Sequence, residues 1–136
     1  MMVKQIKLPI QSKEKLSRLK GKTKIQNWNV LCRWALCFSL SEKTIPADNE
    51  LPADSNLEMS WHTFSGENHE IFEALVKARC IEDGLPTDNE TLAKYFRLHL
   101  NRGIAYLAGT NVVNSLEDLL KIAIEKRRSQ QDEYLP

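Results

Sequence analysis

The chain has 136 residues, 42% of them apolar and 27% charged, a composition typical of one soluble globular domain. Its net charge is only +1, and its three cysteines, Cys32, Cys37 and Cys80, favour reduced thiols in the cytoplasm over a disulfide framework. No apolar run approaches the ~20 residues of a membrane helix, and no signal-peptide pattern opens the chain. We therefore expect a cytoplasmic protein with a single domain, residues 1–136, and no membrane contact.

Residues 2–8 loosely alternate apolar and polar side chains, which predicts a short strand that must find a partner elsewhere. A first helix is predicted over residues 13–20, with Ser12 as its N-cap and Gly21 as its left-handed C-terminal cap. A second helix is predicted over residues 27–41. It is apolar around nearly its whole circumference, which is typical of a core helix or of one shared between subunits.

Residues 42–66 form an acidic, turn-rich stretch and are predicted to be a long surface loop, pinned to the core by Trp61 and Phe64. Helical periodicity returns in residues 67–136, with helices predicted over about 68–83, from Asp88 to Gly109, and from Ser115 onward. The predicted fold class is therefore mainly α, with about five helices and a short N-terminal strand. The domain would comprise a basic strand–helix–helix unit (1–41), the loop (42–66) and a helical segment (67–136).

Positive charge is concentrated at the N-terminal end of the chain. Nine of the 19 basic residues lie in the first 40 positions with Glu14 as the only acid, a local balance of +8. Because the whole chain carries +1, residues 41–136 carry −7. Such a concentrated positive field attracts a polyanion, and a preponderance of lysine favours contacts to phosphate over reading of bases. The residues predicted to bind DNA are Lys4, Lys7, Lys13, Lys15, Arg18, Lys20, Lys22 and Lys24.

Two alternatives to DNA binding remain open for this basic segment. The lysines would only confer solubility if the helix were simply solvated, although like charges packed so densely repel one another. The acidic loop would neutralise the patch if it folded back over it. We expect most of the DNA contact between Lys13 and Lys24, since Lys4 and Lys7 belong to the predicted strand.

The order of strand, basic helix and apolar helix resembles ribbon-helix-helix DNA-binding proteins. In those proteins two strands from different subunits pair, and the second helix builds the dimer core. On this pattern Trp28, Trp34 and Phe38 of the apolar helix are predicted subunit contacts. The resemblance covers only about the first 40 residues.

The helix predicted after Asp88 carries an unusual stripe of polar and aromatic residues. Tyr95, His99, Arg102 and Tyr106 recur at helical spacing beside the apolar face. One interpretation is a contact to a subunit, partner or loop, satisfied by hydrogen bonds. The other is a nucleic-acid surface built from aromatic and arginine planes. Gly103 in the same helix favours close approach of another backbone.

No catalytic or metal-binding pattern stands out. The histidines, His62, His69 and His99, have no metal-ligand spacing, and Cys32 and Cys37 are turned about 140° apart on one helix. Neither a phosphate-binding glycine loop nor a nucleophile elbow occurs. We expect no metal, no cofactor and no enzymatic activity.

Several unusual blocks spread over the chain resemble one specific family. They include Asn-Trp-Asn-Val-Leu-Cys-Arg-Trp-Ala from Asn27 and Phe-Arg-Leu-His-Leu-Asn-Arg-Gly-Ile-Ala-Tyr-Leu-Ala from Phe96. Further blocks lie at residues 21–23, 38–40, 58–61 and 64–67. Together they strongly resemble the DNA sulfur modification protein DndE. Residues 46–56 match nothing in that pattern.

The resemblance implies a small non-enzymatic component of bacterial DNA phosphorothioation, which replaces a non-bridging phosphate oxygen with sulfur. The family is described as a DNA-binding homo-oligomer that favours nicked duplex, so we expect a homo-oligomer such as a tetramer. Other phosphorothioation proteins would be its partners. The alternative is a protein–protein adaptor that scaffolds those proteins without binding DNA, docking through the Tyr95/Arg102 face.

Overall fold

The computed structural model describes residues 3–133, and the side chains of residues 3–129. Met2, the first residue of the predicted strand, lies outside the described residues. Helices make up most of the described chain, so the predicted mainly α fold class is confirmed. In chain order the elements are β1 (Gln5–Lys7), α1 (Ile10–Thr23), α2 (Trp28–Ser41), β2 (Glu58–Ser60), α3 (Trp61–Ser65), a 3-10 turn (Gly66–Asn68), α4 (His69–Glu82), α5 (Asn89–Leu107) and α6 (Leu116–Glu133).

The predicted strand is confirmed as β1, and its partner is β2 of the same chain. The two pair antiparallel, with Ile6 opposite Met59 and Lys7 opposite Glu58. Ile6 and Met59 are buried while Lys7 and Glu58 are exposed, so one face of this small sheet closes the core. The order of strand, basic helix and apolar helix is present, but β1 does not depend on another subunit as a ribbon-helix-helix strand does.

Helix α1 begins earlier and ends later than its sequence signals predicted. Pro9 occupies the N-cap position, and Ser12 lies buried inside the first turn, where its hydroxyl donates to Asn101 Oδ1 on α5. Gly21 is an ordinary helical residue, and the helix ends at Lys24, which has φ 66° and donates its N–H to the Lys20 carbonyl at 3.0 Å. Both cap predictions were wrong. The Ser12 hydroxyl bonds a residue of another helix, and Lys24 in the left-handed conformation ends α1 in place of Gly21.

Helices α2 and α5 approach each other closely at Gly103. A Cβ atom added at Gly103 would lie 1.8 Å from the Ala35 carbonyl oxygen, inside any permitted contact. Only glycine therefore allows this approach, as the sequence indicated. Leu31, Leu36, Leu100 and Ile104, all 1% exposed or less, line the surrounding core.

Aromatic side chains join the turn around α3 to the rest of the core. Trp61 and Phe64 are 1% and 0% exposed, and both contact Phe96 edge-on with ring centroids 5.4 and 5.2 Å apart. The prediction that they pin the acidic segment to the core is confirmed. Part of that segment is ordered as β2 and α3, so the irregular loop is shorter than predicted.

Helices α5 and α6 start where their caps predicted. Asp88 caps α5 by accepting from the Thr91 N–H at 3.1 Å, and Ser115 accepts from the Asp118 N–H at 3.2 Å before α6. Helix α5 is buried along most of its length. On α4, Phe72 is buried but Ile71 is 57% exposed, so this helix also carries apolar side chains outward.

Candidate nucleic-acid interface

All eight basic residues predicted to bind DNA reach the surface. Lys4, Lys7, Arg18, Lys22 and Lys24 are exposed, and Lys13, Lys15 and Lys20 are half-buried. Lys7 faces Glu58 across the small sheet, whereas Lys24 stands at the end of α1. Each of the eight basic side chains is therefore at least partly open to solvent.

Helix α1 divides its basic residues between two flanks. Its buried seam is formed by Leu16 and Leu19, which are 0% and 1% exposed. At 100° per residue, Lys13 and Lys20 lie within about 20° of each other on one side of that seam. We call this pair the first flank. Lys15, Arg18 and Lys22 lie within about 60° of one another on the other side and form the second flank. Ser17, Gly21 and Glu14 occupy the outer surface between the flanks, the last with the only local negative charge.

The first flank is held by neighbouring side chains. Lys13 Nζ donates a hydrogen bond to Asn56 Oδ1, just before β2. Lys20 Nζ lies 4.0 Å from the centroid of the Trp28 ring at the start of α2. A cation over an indole face is stabilised without losing its charge. These contacts position the two ammonium groups and leave them positive.

The acidic loop does not neutralise these lysines by ion pairing. Among the described residues, none of the eight basic side chains takes part in a salt bridge. Two of the loop's acids are used elsewhere: Asp54 Oδ1 accepts from the Ile10 N–H at 2.8 Å, and Asp48 pairs with Lys94 on α5 at 2.7 Å. The loop thus caps the start of α1, and the positive field along the rest of that helix is not offset by direct partners.

The polar stripe on α5 holds the end of α2 and the residues after it. Arg102 donates from Nε to Ser39 Oγ at 2.8 Å, from Nη2 to the Ser39 carbonyl at 2.9 Å, and from Nη1 to the Thr44 carbonyl at 2.8 Å. Burial lowers the pKa of Arg102, and an arginine side chain keeps its positive charge in proteins at neutral pH. The guanidinium therefore neutralises the negative end of the α2 dipole. The interpretation of this stripe as a loop contact is supported by these bonds.

Arg79 on α4 completes that arrangement, and no sequence motif had singled it out. It is 5% exposed, and it donates to the carbonyls of Leu40, Glu42, Lys43 and Thr44 over 2.6–3.2 Å. Its Nε also bonds Asp83 at 2.9 Å, one helical turn away. The four-residue spacing of Arg79 and Asp83 was the feature of the sequence that could have indicated this ion pair.

Tyr95 and His99 lie inside this network. The Tyr95 hydroxyl donates to Asp83, and Ser39 Oγ lies 2.8 Å from His99 Nδ1. Burial lowers the pKa of His99 to about 4, assisted by the positive charges of Arg102 and Arg79. Burial and the bond to Asp83 raise the pKa of Tyr95 above its usual range. Both side chains are buried against their own chain, at 4% and 0% exposed, and their predicted contact with a partner stays a prediction.

The aromatic residues predicted at a subunit interface lie on α2. Trp28 and Trp34 are half-buried, and Phe38 is 8% exposed, with Tyr106 stacked on it at a centroid distance of 4.2 Å. That any of them contacts another subunit stays a prediction. The other polar side chains of α2 serve the fold, since Arg33 donates to the Phe64 carbonyl and Asn29 to the Thr63 carbonyl at 3.2 Å.

Two findings concern metal ligands and the Cys32 thiol in the described part of the chain. No group of three or more histidine, cysteine, aspartate or glutamate side chains there is arranged to hold a metal ion. Burial raises the pKa of Cys32 to about 12, so this thiol stays protonated at neutral pH. No helix in residues 3–133 is long and apolar enough to cross a bilayer.

Comparison with known proteins gives a consistent result. The family model of the DNA sulphur modification protein DndE matches residues 5–115. A crystal structure of DndE from Escherichia coli B7A, involved in DNA phosphorothioation modification, is similar with a TM-score of 0.65 and 26% identity. The match covers 79% of this chain and 98% of that one. A DndE mutant structure is similar with a TM-score of 0.58 and 24% identity, over 76% of this chain and 95% of that one. No curated protein sequence matches the chain.

The family model spans β1 to the residues just before α6 and therefore includes the basic helix, the α2–α5 core and the arginine network. The matched residues, 5–115, make up well over half of the chain. The chain belongs to the DndE family of DNA sulphur modification proteins.

Proposed function

We propose that this protein is a non-catalytic DNA-binding component of the phosphorothioation machinery. It would bind duplex DNA through the phosphates, using the two flanks of α1 together with the exposed Lys4, Lys7 and Lys24. The DNA would be preferentially nicked, and a homo-oligomer such as a tetramer would present several copies of this surface together. Other phosphorothioation proteins would be its partners.

One observation carries the proposal: the basic side chains are exposed or half-exposed and, among the described residues, lack ion-pair partners. Each subunit places five of the eight basic groups on α1 itself, Lys13, Lys15, Arg18, Lys20 and Lys22. Repulsion among these groups is relieved when a polyanion binds and releases its counterions. The internal alternative would be neutralisation by the acidic loop, but two of its acids, Asp54 and Asp48, bond the α1 N-terminus and α5 instead.

A preference for nicked duplex follows from deformation energy. A nicked duplex bends at lower cost than an intact one, so several basic surfaces gain phosphate contacts without a large elastic penalty. Binding through phosphate alone needs no bidentate base recognition, which agrees with seven lysines among the eight predicted residues. The protein would therefore recognise the shape and flexibility of DNA more than its base sequence.

The experiment compares two double variants with a matched control in fluorescence-anisotropy titrations over a range of salt. Lys13→Ala/Lys20→Ala removes the first flank, and Lys15→Ala/Lys22→Ala removes two charges of the second. Removing one lysine–phosphate pair should reduce the log–log salt slope by about 0.9. Lys77→Ala/Lys121→Ala removes the same charge from α4 and α6, at exposed positions away from α1, and should leave the slope unchanged. Wild-type slopes in both flank variants would overturn the proposal.

A further inference from the structure

A cavity of about 640 Å³ lies between the beginning of α1, the acidic loop before β2, and α5. Residues 9–12 and Lys15 line it at the beginning of α1, and residues between 46 and 54 line it from the loop. Helix α5 contributes Leu98, Asn101, Arg102 and Ala105. Pockets that bind small molecules usually measure about 300–1,000 Å³, so a single nucleotide is within the capacity of this one.

Part of the cavity wall is aliphatic. The apolar side chains include Pro46, Leu51, Pro52 and Leu98. Leu98 is 7% exposed and belongs to the core, whereas Leu51 on the loop is 37% exposed. Flat heteroaromatic rings that leave a base stack are commonly held between apolar side chains. The wall therefore offers suitable surface to the faces of a nucleobase.

The charges that line the cavity balance one another. Two are positive and two are negative: Lys15, Arg102, Glu50 and Asp54. Asp54 accepts the Ile10 N–H, and Arg102 donates to carbonyl groups at and beyond the end of α2. Lys15 and Glu50 form no ion pair with any described residue. Such a balance gives the interior no preference for an anion, and it favours a neutral group that carries hydrogen-bond donors and acceptors.

The polar groups of the cavity retain free hydrogen-bonding capacity. Gln11 is exposed, and its amide bonds none of the described residues. Ser12 donates to Asn101, and Asn101 donates to the Arg97 carbonyl at 2.9 Å, which leaves the Ser12 oxygen free to accept and one Asn101 N–H free to donate. The Glu50 carboxylate adds further acceptors. Amide and carboxylate side chains are the groups that pair with the donors and acceptors on base edges.

The cavity adjoins the second flank of α1 through Lys15. This lysine lines the cavity, while Arg18 and Lys22 continue the same flank toward the C-terminal end of the helix. Lys22 lies seven residues beyond Lys15, about 10 Å along the helix axis. A DNA strand whose phosphates contact Arg18 and Lys22 therefore reaches the cavity at Lys15. At a nick the terminal nucleotide has lost its covalent neighbour on one side, so its base leaves the stack at lower cost than a base within an intact strand.

We propose that the cavity receives the unstacked base of the nucleotide next to a nick, with the phosphate of that nucleotide on Lys15 and the base edge on Gln11 and Glu50. The inference rests on the DNA binding of the proposed function. It adds to the lower bending cost a second source of preference for nicked duplex, which is direct contact with a base that an intact duplex keeps stacked.

Nicked duplexes that carry 2-aminopurine next to the nick, on one side or the other, test the proposal with the full-length protein. This base fluoresces more strongly when it leaves the stack, so binding should raise the fluorescence of a nicked duplex but not of an intact duplex with the same label. Ala105→Phe fills the cavity from an exposed position on α5 and should abolish the rise. Ala78→Phe makes the same change at an exposed position on α4, outside the cavity, and should keep it.

A second variant tests the contact with the base edge. Glu50→Ala should lower the ratio of nicked-duplex to intact-duplex affinity by about tenfold, the contribution of one hydrogen bond to a buried partner. If Glu50 only repelled DNA, its removal would strengthen binding to both duplexes equally. An unchanged ratio would therefore exclude this carboxylate as a contact of the base.

Anisotropy measured on the same samples separates the two proposals. Binding to both duplexes without any rise in 2-aminopurine fluorescence would overturn the base site and leave DNA binding intact. A rise that persists in Ala105→Phe would show that the base unstacks elsewhere and would also overturn the site. If the wild-type protein binds neither duplex, the proposed function fails and the base site fails with it.

Discussion

Replacing Gly103 with alanine should destabilise the protein strongly. The new Cβ would lie 1.8 Å from the oxygen and 2.4 Å from the carbon of the Ala35 carbonyl group. Ordinary contacts between such atoms are about 3.5 Å or longer, so α2 and α5 would have to separate by about 1.5 Å. Backbone cannot rotate aside as a flexible side chain would, which places the cost near the upper end of overpacking effects, about 3 kcal/mol. For a chain of this size the melting temperature should fall by roughly 10 °C.

Gly21→Ala provides a matched control for this prediction. Gly21 is also helical, but no atom lies within 4 Å of the position of its added Cβ. Alanine there should stabilise the protein by about 0.5–1 kcal/mol, because glycine is the weaker helix former. Thermal and urea unfolding of both variants measures the two effects. A Gly103→Ala protein as stable as the wild type would refute the close approach of α2 and α5.

Two further predictions concern the network around the end of α2. Arg79→Ala should cost about 3–5 kcal/mol of unfolding free energy, because it removes the buried cation that pairs with Asp83 and the guanidinium that bonds the backbone after α2, whereas exposed Arg97→Ala should stay within about 0.5 kcal/mol. Equal destabilisation of the two variants in urea unfolding would contradict this. Since the folded-state pKa of His99 is about 4, below its ordinary value of 6.5, unfolding takes up a proton as the pH falls. Stability should therefore decline between pH 6.5 and 4, by about 3 kcal/mol in total, and His99→Gln should flatten that decline in urea titrations; an unchanged pH slope would exclude His99 as the cause.

Local sequence signals predicted the elements well where tertiary structure agreed with them. Helix α2 has the predicted extent within one residue, because its apolar circumference suits a central position. Asp88 caps α5 as expected, since an N-cap acts within three residues. The N-cap prediction for α1 was wrong for the opposite reason. The Ser12 hydroxyl donates to Asn101 on α5, and no local sequence pattern indicates such a distant contact.

The candidate site was predictable only in part. The basic residues of α1 were identified from composition, but their division into two flanks needed the direction of the buried seam formed by Leu16 and Leu19. The stripe containing Tyr95 and Arg102 was visible from its spacing. The partners of Arg102, the hydroxyl and carbonyl of Ser39, could not be predicted, because contacts between residues some sixty positions apart leave no periodic signal in the sequence.

The most direct test of the central proposal is binding of the wild-type protein to nicked and intact duplexes of one sequence, measured by fluorescence anisotropy across a range of salt. We expect binding with a steep negative log–log salt slope, because phosphate contacts release counterions. We also expect tighter binding to the nicked duplex, because it bends at lower cost. No binding to either duplex at low salt would contradict the assignment of the α1 lysines to DNA.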